Sequence, residues 1–291
     1  MRCFLRGMRL AAATAIVSAA ASAVFGIAAQ SRAQEVAWLG GHAVQVAAQR
    51  MGLNGSHSGK PLLGFLARPN MPGRHPGVVI LHGCAGFRPY YPVIADVLKS
   101  YGHVALALDS LGELEACNGG SGDVAESFDS YAALDWLAQQ DFVDPDRVAV
   151  LGFSMGGNAA LDNVETGPGA IEKTQSRYFR AAIACYPYCR YRAGMMTVPT
   201  LILVGDKDDW TLADWCRDMM ARRDGKGAPV KLVVYPGATH AFNIPFEPSL
   251  YLGHHLAYDP QATAAAWKEV RSFLQTTLVP SQPGHRGREK P

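Results

Sequence analysis

Arg147-Val148-Ala149-Val150-Leu151-Gly152-Phe153-Ser154-Met155-Gly156-Gly157-Asn158-Ala159-Ala160-Leu161-Asp162 is the stretch whose reading decides the fold. Its first half is a short run of apolar β-formers that opens after Asp144-Pro145-Asp146 and reads as a buried strand. Its second half can begin a helix. Between them, Gly152-Phe153-Ser154-Met155-Gly156 matches the pattern G-x-S-x-G, with Gly157 as an extra glycine behind it. A strand that turns directly into a helix holds the turn residue in a strained conformation. Glycines on both sides let the two elements approach closely and leave the serine hydroxyl exposed at the top of a sheet. The helix N-terminus behind it aims backbone N–H groups at any oxyanion formed there. Ser154 is therefore the candidate nucleophile, against the alternative of an ordinary glycine-rich strand-to-helix turn.

A serine hydroxyl near pH 7 needs a base, itself oriented by a carboxylate. With this kind of elbow the partners follow in the chain order Ser, Asp or Glu, His, each just past a later strand. Val230-Lys231-Leu232-Val233-Val234-Tyr235 reads as a late strand, and His240 lies in the loop Pro236-Gly237-Ala238-Thr239-His240-Ala241-Phe242 behind it. None of His42, His57, His75, His82, His103, His254, His255 and His285 stands in that relation to a late strand, so His240 is the candidate base. Thr200-Leu201-Ile202-Leu203-Val204-Gly205 is the strand before, and Asp206-Lys207-Asp208-Asp209-Trp210 follows it. Asp208, the third position after Gly205, is the preferred acid. Asp206 and Asp209 remain alternatives whose plainer reading is loop charge or helix cap. Asp109 ends an earlier strand, His103 to Leu108, too early in chain order for the acid. His82 ends the apolar run Gly77 to Leu81, where a histidine beside a glycine more often bonds backbone and shapes the loop.

Outward from this centre, strand and helix patterns alternate. Pro89 to Tyr101, Val124 to Gln140, Leu212 to Arg222 and Ala262 to Thr277 read as helices, and Ala181 to Tyr186 as a further buried strand. Val44 to Ala48 and Leu62 to Arg68 read as an antiparallel lead-in hairpin. Continuous apolar strands alternating with helices imply an α/β architecture, a mostly parallel central sheet with helices on both faces. No insertion is long enough for a large lid, so the site is expected to be open.

Leu81-His82-Gly83-Cys84-Ala85-Gly86, the Ser154 elbow, Gly205 to Trp210, and Tyr235 to Phe242 follow one another along most of the chain. In these four motifs the chain resembles the dienelactone hydrolase family of α/β-hydrolases. The resemblance implies the α/β-hydrolase fold and hydrolysis of carboxylic esters or lactones through a covalent acyl-enzyme, without a cofactor. It also implies an oxyanion hole made of two backbone N–H groups, those of Met155 and Cys84, with Ala85 as neighbour; Cys84 follows from aligning Gly86 with the family's glycine in that loop. Asp208 falls in the family's acid frame, G-x-x-D, with Trp210-Thr211-Leu212 behind it. Two departures stand out. Ser154 occupies the position of the founding members' cysteine. Ile244 occupies that of an arginine which reads a substrate carboxylate a turn after the histidine, and this points away from dienelactone itself.

The formal net charge is +2 over 291 residues, and no Lys/Arg cluster interleaves with aromatics, so a nucleic-acid partner has no support. No P-loop, G-x-G-x-x-G or H-E-x-x-H pattern suggests phosphate, dinucleotide or zinc chemistry, so neither cofactor nor metal is expected. Arg2, Arg6 and Arg9 precede an Ala/Val/Ile-rich run, Leu10 to Ala29, and Ser31-Arg32-Ala33 offers small residues for cleavage. Residues 1–33 thus read as a signal peptide and Gln34 as the mature N-terminus, against the alternative of an uncleaved anchor. The expected location is periplasmic or secreted, with no stable membrane partner after cleavage. Residues 34–279 form the hydrolase domain, and 280–291, polar and rich in Pro and Gly, a disordered tail. In an oxidising compartment Cys189–Cys216 and Cys84–Cys117 are candidate disulfides, with Cys185 a buried free thiol. Three functions are compatible: a secreted serine hydrolase of small-molecule esters or lactones, a prolyl-oligopeptidase-like peptidase, and a catalytically silent binding protein. The intact Ser, Asp and His argue against the third, and the added domain usual in such peptidases is not expected here, so the first leads.

Overall fold

The continuous apolar runs form strands buried on both faces. A computed structural model of the chain describes residues 42–46, 62–110, 122–166 and 177–278. In chain order the elements are β1 (His42–Val46), β2 (Leu62–Ala67), β3 (His75–Leu81), α1 (Tyr90–Ser100), β4 (Val104–Asp109), α2 (Gly122–Ala138), β5 (Val143–Phe153) and α3 (Met155–Asp162). They continue with β6 (Ala181–Cys185), β7 (Thr200–Gly205), α4 (Ala213–Arg223), β8 (Val230–Tyr235), β9 (Ser249–Tyr251), β10 (His254–Leu256) and α5 (Pro260–Thr277). Eight strands make one sheet in the order β1-β2-β4-β3-β5-β6-β7-β8. β2 runs antiparallel to both β1 and β4; every pairing from β4 to β8 is parallel.

Alternation along each strand divides the core in two. Val79 and Leu81 of β3 face a cluster with Leu134 and Leu137 of α2, Ala159 of α3 and Met219 of α4. Val78 and Ile80 face the other side, with Ile94 and Leu98 of α1 and Val270 and Leu274 of α5. All four β3 side chains are fully excluded from solvent, and each such burial contributes about 1.5–3 kcal/mol. The fold is the α/β-hydrolase arrangement expected from the sequence, and the parallel strands carry the site at their C-terminal ends.

Two local differences have physical causes. β5 begins four residues before Arg147, because Val143 pairs with His75 and Asp144–Arg147 then form an irregularity before pairing resumes at Val148. Pro145 has no N–H to give, and Asp144 takes both the Asp146 N–H and the Arg147 side chain instead. α5 starts at Pro260, not Ala262, since Asp259 caps it by accepting the N–H groups of Gln261 and Ala262. The separate β9–β10 ribbon was not anticipated. The proposed signal peptide, the tail from 280 and Cys117 lie outside the described residues.

Cys189, past β6, and Cys216, within α4, form a disulfide. Cys84 is disulfide-bonded as well, and Cys185 is a buried free thiol. The Cys189–Cys216 bond spans 27 positions, a loop whose closure stabilises the fold by about 3 kcal/mol in the chain-entropy picture. The double variant Cys189→Ala, Cys216→Ala should therefore melt roughly 6–12 °C below the parent. An unchanged melting temperature would show that the bond adds nothing to the network already made by Arg192. That guanidinium ties the same connection to the end of α3 through Asp162, at 2.7 Å, and to the segment behind it through Glu165, at 2.9 Å.

Candidate active site

Ser154 stands between β5 and α3 at φ 54° and ψ −113°, a conformation that costs energy for a residue with a Cβ. The neighbouring glycines make it attainable: a Cβ on Gly152 would lie 1.8 Å from the Gly156 carbonyl oxygen, so only hydrogen allows strand and helix to close here. The elbow is pinned on both sides. Ser154 N–H donates to the Cys185 carbonyl at 2.9 Å and Gly156 N–H to the His82 carbonyl at 3.0 Å.

The loops after β7 and β8 bring the other two predicted residues to the serine. Ser154 Oγ lies 2.9 Å from His240 Nε2, and His240 Nδ1 lies 2.9 Å from Asp208 Oδ2. Asp208 is 4% exposed and His240 2%. The Asp208 carboxylate is held by donors around it: Trp210 N–H and Thr211 N–H reach Oδ1 at 2.9 and 2.8 Å, and Thr211 Oγ1 lies 2.9 Å from Oδ2. A carboxylate held by this many neighbours cannot swing from the imidazole. The two alternative acids point elsewhere. Asp206 accepts the Gly237 N–H, and Asp209 faces His254 and His255.

Met155 opens α3, where its N–H has no carbonyl four residues back in the helix, and Cys84 lines the same cavity as Ser154. The loop that carries Cys84 is shaped by Tyr91, which sequence reasoning passed over, and by His82. Gly83 N–H donates to the Tyr91 hydroxyl at 2.7 Å, and His82 Nδ1 lies 2.8 Å from the Gly83 carbonyl, so His82 has the loop-shaping place expected of it. Also passed over were Tyr186, whose ring packs 4.7 Å from that of His240, and Thr211. The cavity over Ser154 measures about 410 Å³, and Tyr251 and Leu256 of the ribbon stand in its wall. Among the described residues no cluster of three or more His, Cys, Asp or Glu side chains could hold a metal ion.

Behind the loop, His82 Nδ1 meets Glu126 Oε1 at 3.1 Å with both side chains fully buried. Loss of hydration drives both groups neutral: His82 is pushed down to about 4 from 6.5, while Glu126 is pushed well above 4.5, with Asp129 adding repulsion. Burial likewise takes His103 down to about 4. A histidine so depressed adds no penalty above pH 6.5 and loses stability as pH falls from there towards 4, by up to about 3 kcal/mol per ring. Glu126 has the opposite sign, its contribution present below pH 4.5 and lost as pH rises above it. The two histidines should dominate on the acid side, so the melting temperature should drop steeply between pH 6.5 and 4. A His103→Gln variant should flatten that drop, and a drop of equal steepness in the variant would remove His103 from the account.

Residues 62–278 match the dienelactone hydrolase family. A Bradyrhizobium protein named "Probable 2-oxo-3-(5-oxofuran-2-ylidene)propanoate lactonase" is 29% identical over 239 residues, which cover 76% of this chain and 92% of that one. Among solved structures, a dienelactone hydrolase-like promiscuous phosphotriesterase from metagenomic libraries superposes with a TM-score of 0.62 at 22% identity, covering 82% of this chain and all of that one. A thermophilic esterase from Thermogutta terrifontis, solved with propionate bound, gives a TM-score of 0.60 at 17% identity, covering 83% and 97%. At these identities the structural likeness is one of fold.

Proposed function

Since the chain belongs to the dienelactone hydrolase family, we propose that it hydrolyses carboxylic esters or lactones through an acyl-enzyme on Ser154. The observation that carries this is the unbroken relay at the cavity floor, Ser154 to His240 to Asp208 with 2.9 Å at each step. His240 Nε2 takes the hydroxyl proton as Ser154 Oγ attacks the carbonyl carbon. Asp208 holds the Nδ1–H tautomer and stabilises the imidazolium that forms. The N–H groups of Met155 and Cys84 receive the oxyanion. Collapse of the tetrahedral intermediate expels the alcohol, which takes the proton from His240. A water activated by the same imidazole then releases the acid. The lactonase name of the Bradyrhizobium relative and the family match support this reaction class.

A fluorophosphonate probe tests the reading: it should label Ser154 stoichiometrically, and a panel of esters, lactones and peptides should show turnover of the first two. No label on the folded protein would leave a silent hydrolase fold, and peptide turnover alone would leave a peptidase. The small-molecule substrate needs neither cofactor nor macromolecular partner. The protein is exported, with residues 1–33 as its signal peptide; the Cys189–Cys216 disulfide supports an oxidising location. N-terminal sequencing of the cell-derived protein should begin at Gln34, and an intact Met1 would refute export by cleavage.

A further inference from the structure

Asp208 closes on His240, but the next residue turns its side chain to the β9–β10 ribbon. The Asp209 carboxylate accepts the His255 backbone N–H at 3.2 and 3.1 Å and that residue's ring Nδ1 at 2.9 Å, with His254 Nδ1 3.4 Å away. Trp210 makes a second tie. Its ring stacks on that of His254, centroids 4.5 Å apart and planes within 12°, and stands 6.0 Å from Tyr251 and 5.0 Å from His240. Residues opposite one another on an antiparallel pair share a face. Ser249 with Leu256 and Tyr251 with His254 therefore form the inner face of the ribbon. Ser249, Tyr251 and Leu256 line the cavity, whereas Leu250 on the outer face is 66% exposed.

The chemistry of the wall defines what it can receive. Aromatic and aliphatic surface surrounds the cavity, and the hydroxyls of Tyr90, Tyr91 and Tyr186 are engaged inside the protein. Tyr90 donates to the Tyr91 hydroxyl, which itself accepts the Gly83 N–H, and Tyr186 donates to Asn243. Arg88 is the one formally charged side chain among the described lining residues. A carboxylate entering here would shed its hydration with Arg88 as its one cationic neighbour among the described lining residues, whereas a flat apolar group would bury its faces against Trp210 and Tyr251.

We propose that the β9–β10 ribbon is the substrate-selecting wall of this site, that it selects neutral aryl-bearing esters, and that Asp209 is the positioning residue that holds it on the acid loop. The proposal rests on the hydrolase reading above. The ribbon contributes contact area to the substrate, and Asp209 acts only through the ribbon, so its loss weakens binding without touching the relay.

The test is steady-state kinetics, followed by proton release, on ethyl acetate, ethyl phenylacetate, benzyl acetate and monoethyl succinate. Wild type, Asp209→Asn, Asp209→Ala and Tyr251→Ala are compared. Wild type should show its lowest KM on one of the two aryl esters, with kcat/KM roughly tenfold or more above that for the carboxylate-bearing half ester. Asp209→Ala should raise the aryl-ester KM about fivefold, the order expected for losing exposed hydrogen bonds, with a much smaller change in kcat. Asp209→Asn, which keeps an acceptor for the His255 N–H, should lie between, and Tyr251→Ala should erase the aryl preference. A wild-type preference for the half ester overturns the substrate class. An equal fall in kcat on all esters for Asp209→Ala, or no change in KM, overturns the positioning role. Fluorophosphonate labelling of wild-type Ser154 separates the levels: no label sinks the hydrolase reading and this proposal with it, whereas labelling with the wrong preference sinks the wall alone.

Discussion

Ser154→Ala and His240→Ala should each lower ester turnover by on the order of 10⁴-fold or more in kcat while the protein remains folded. The size follows from the relay acting as one unit: with either end removed, no attacking oxygen is activated and the remaining groups contribute little. Ser154→Ala keeps the Cβ that the elbow already tolerates at φ 54°, so circular dichroism and melting should stay close to the parent. His240 is only 2% exposed and packs between Tyr186 and Trp210, so its truncation also opens a hole and should cost stability. His240→Gln fills that space and separates the two effects. Asp208→Asn should lose activity on a comparable scale. Its amide oxygen can still accept from Trp210 and Thr211, but the NH₂ then opposes His240 Nδ1–H and favours the wrong tautomer. Asp206→Asn and Asp209→Asn leave the relay untouched and should change kcat far less. Near-parental turnover in folded Ser154→Ala or His240→Gln would remove these residues from the chemistry; greater sensitivity at Asp206 or Asp209 would move the acid.

The parts of this arrangement that could be read from the chain are those set by local periodicity. Val78 to Leu81 and Val148 to Leu151 are apolar without interruption because both faces of a parallel strand are covered, and that pattern survives without any partner being known. The elbow is equally local, since a turn from strand to helix in so few residues admits almost nothing but glycine at Gly152. Asp208 and His240 were reachable because each loop follows a recognisable strand. What was hidden depends on contacts remote in sequence. Thr211 matters because Tyr186 and His240 lie beside it, and Tyr91 because Gly83 reaches it across eight positions. The ribbon was hidden for another reason. Its strands have three residues each, and its turn places Leu252 at φ 49°, a position where Asn, Asp or Gly would have signalled a hairpin. A leucine there is held by the pairing of the strands and the ties to Asp209 and Trp210, which local sequence does not reveal.

Gly205→Ala should lower kcat by roughly 10²-fold or more without removing any group of the relay. Gly205 ends β7 opposite Tyr235, at the point where the acid loop and the base loop touch. A Cβ there would lie 2.0 Å from the Ala238 carbonyl oxygen and 2.5 Å from its carbon, both backbone atoms that cannot rotate away. Ala238 is 1% exposed, and its carbonyl already accepts the Lys207 N–H at 2.9 Å, so the peptide is fixed from both directions. Relief therefore requires the loops to separate by about 1 Å, the scale of misplacement at which catalytic geometry fails. Asp208 lies three residues beyond Gly205 and His240 two beyond Ala238, so the separation opens the His240 Nδ1 to Asp208 Oδ2 contact first. Ser154 should still react with a fluorophosphonate, but more slowly. Overpacking should also cost about 1–3 kcal/mol of stability. Gly237→Ala is the matched control: it lies in the same base loop at φ 78° with open space where a Cβ would go, so it should strain the backbone by about 1 kcal/mol and leave kcat nearly unchanged. If Gly205→Ala turned over ester like the parent, or if Gly237→Ala were the more damaging of the two, the close approach of these loops would not be what aligns the acid with the base.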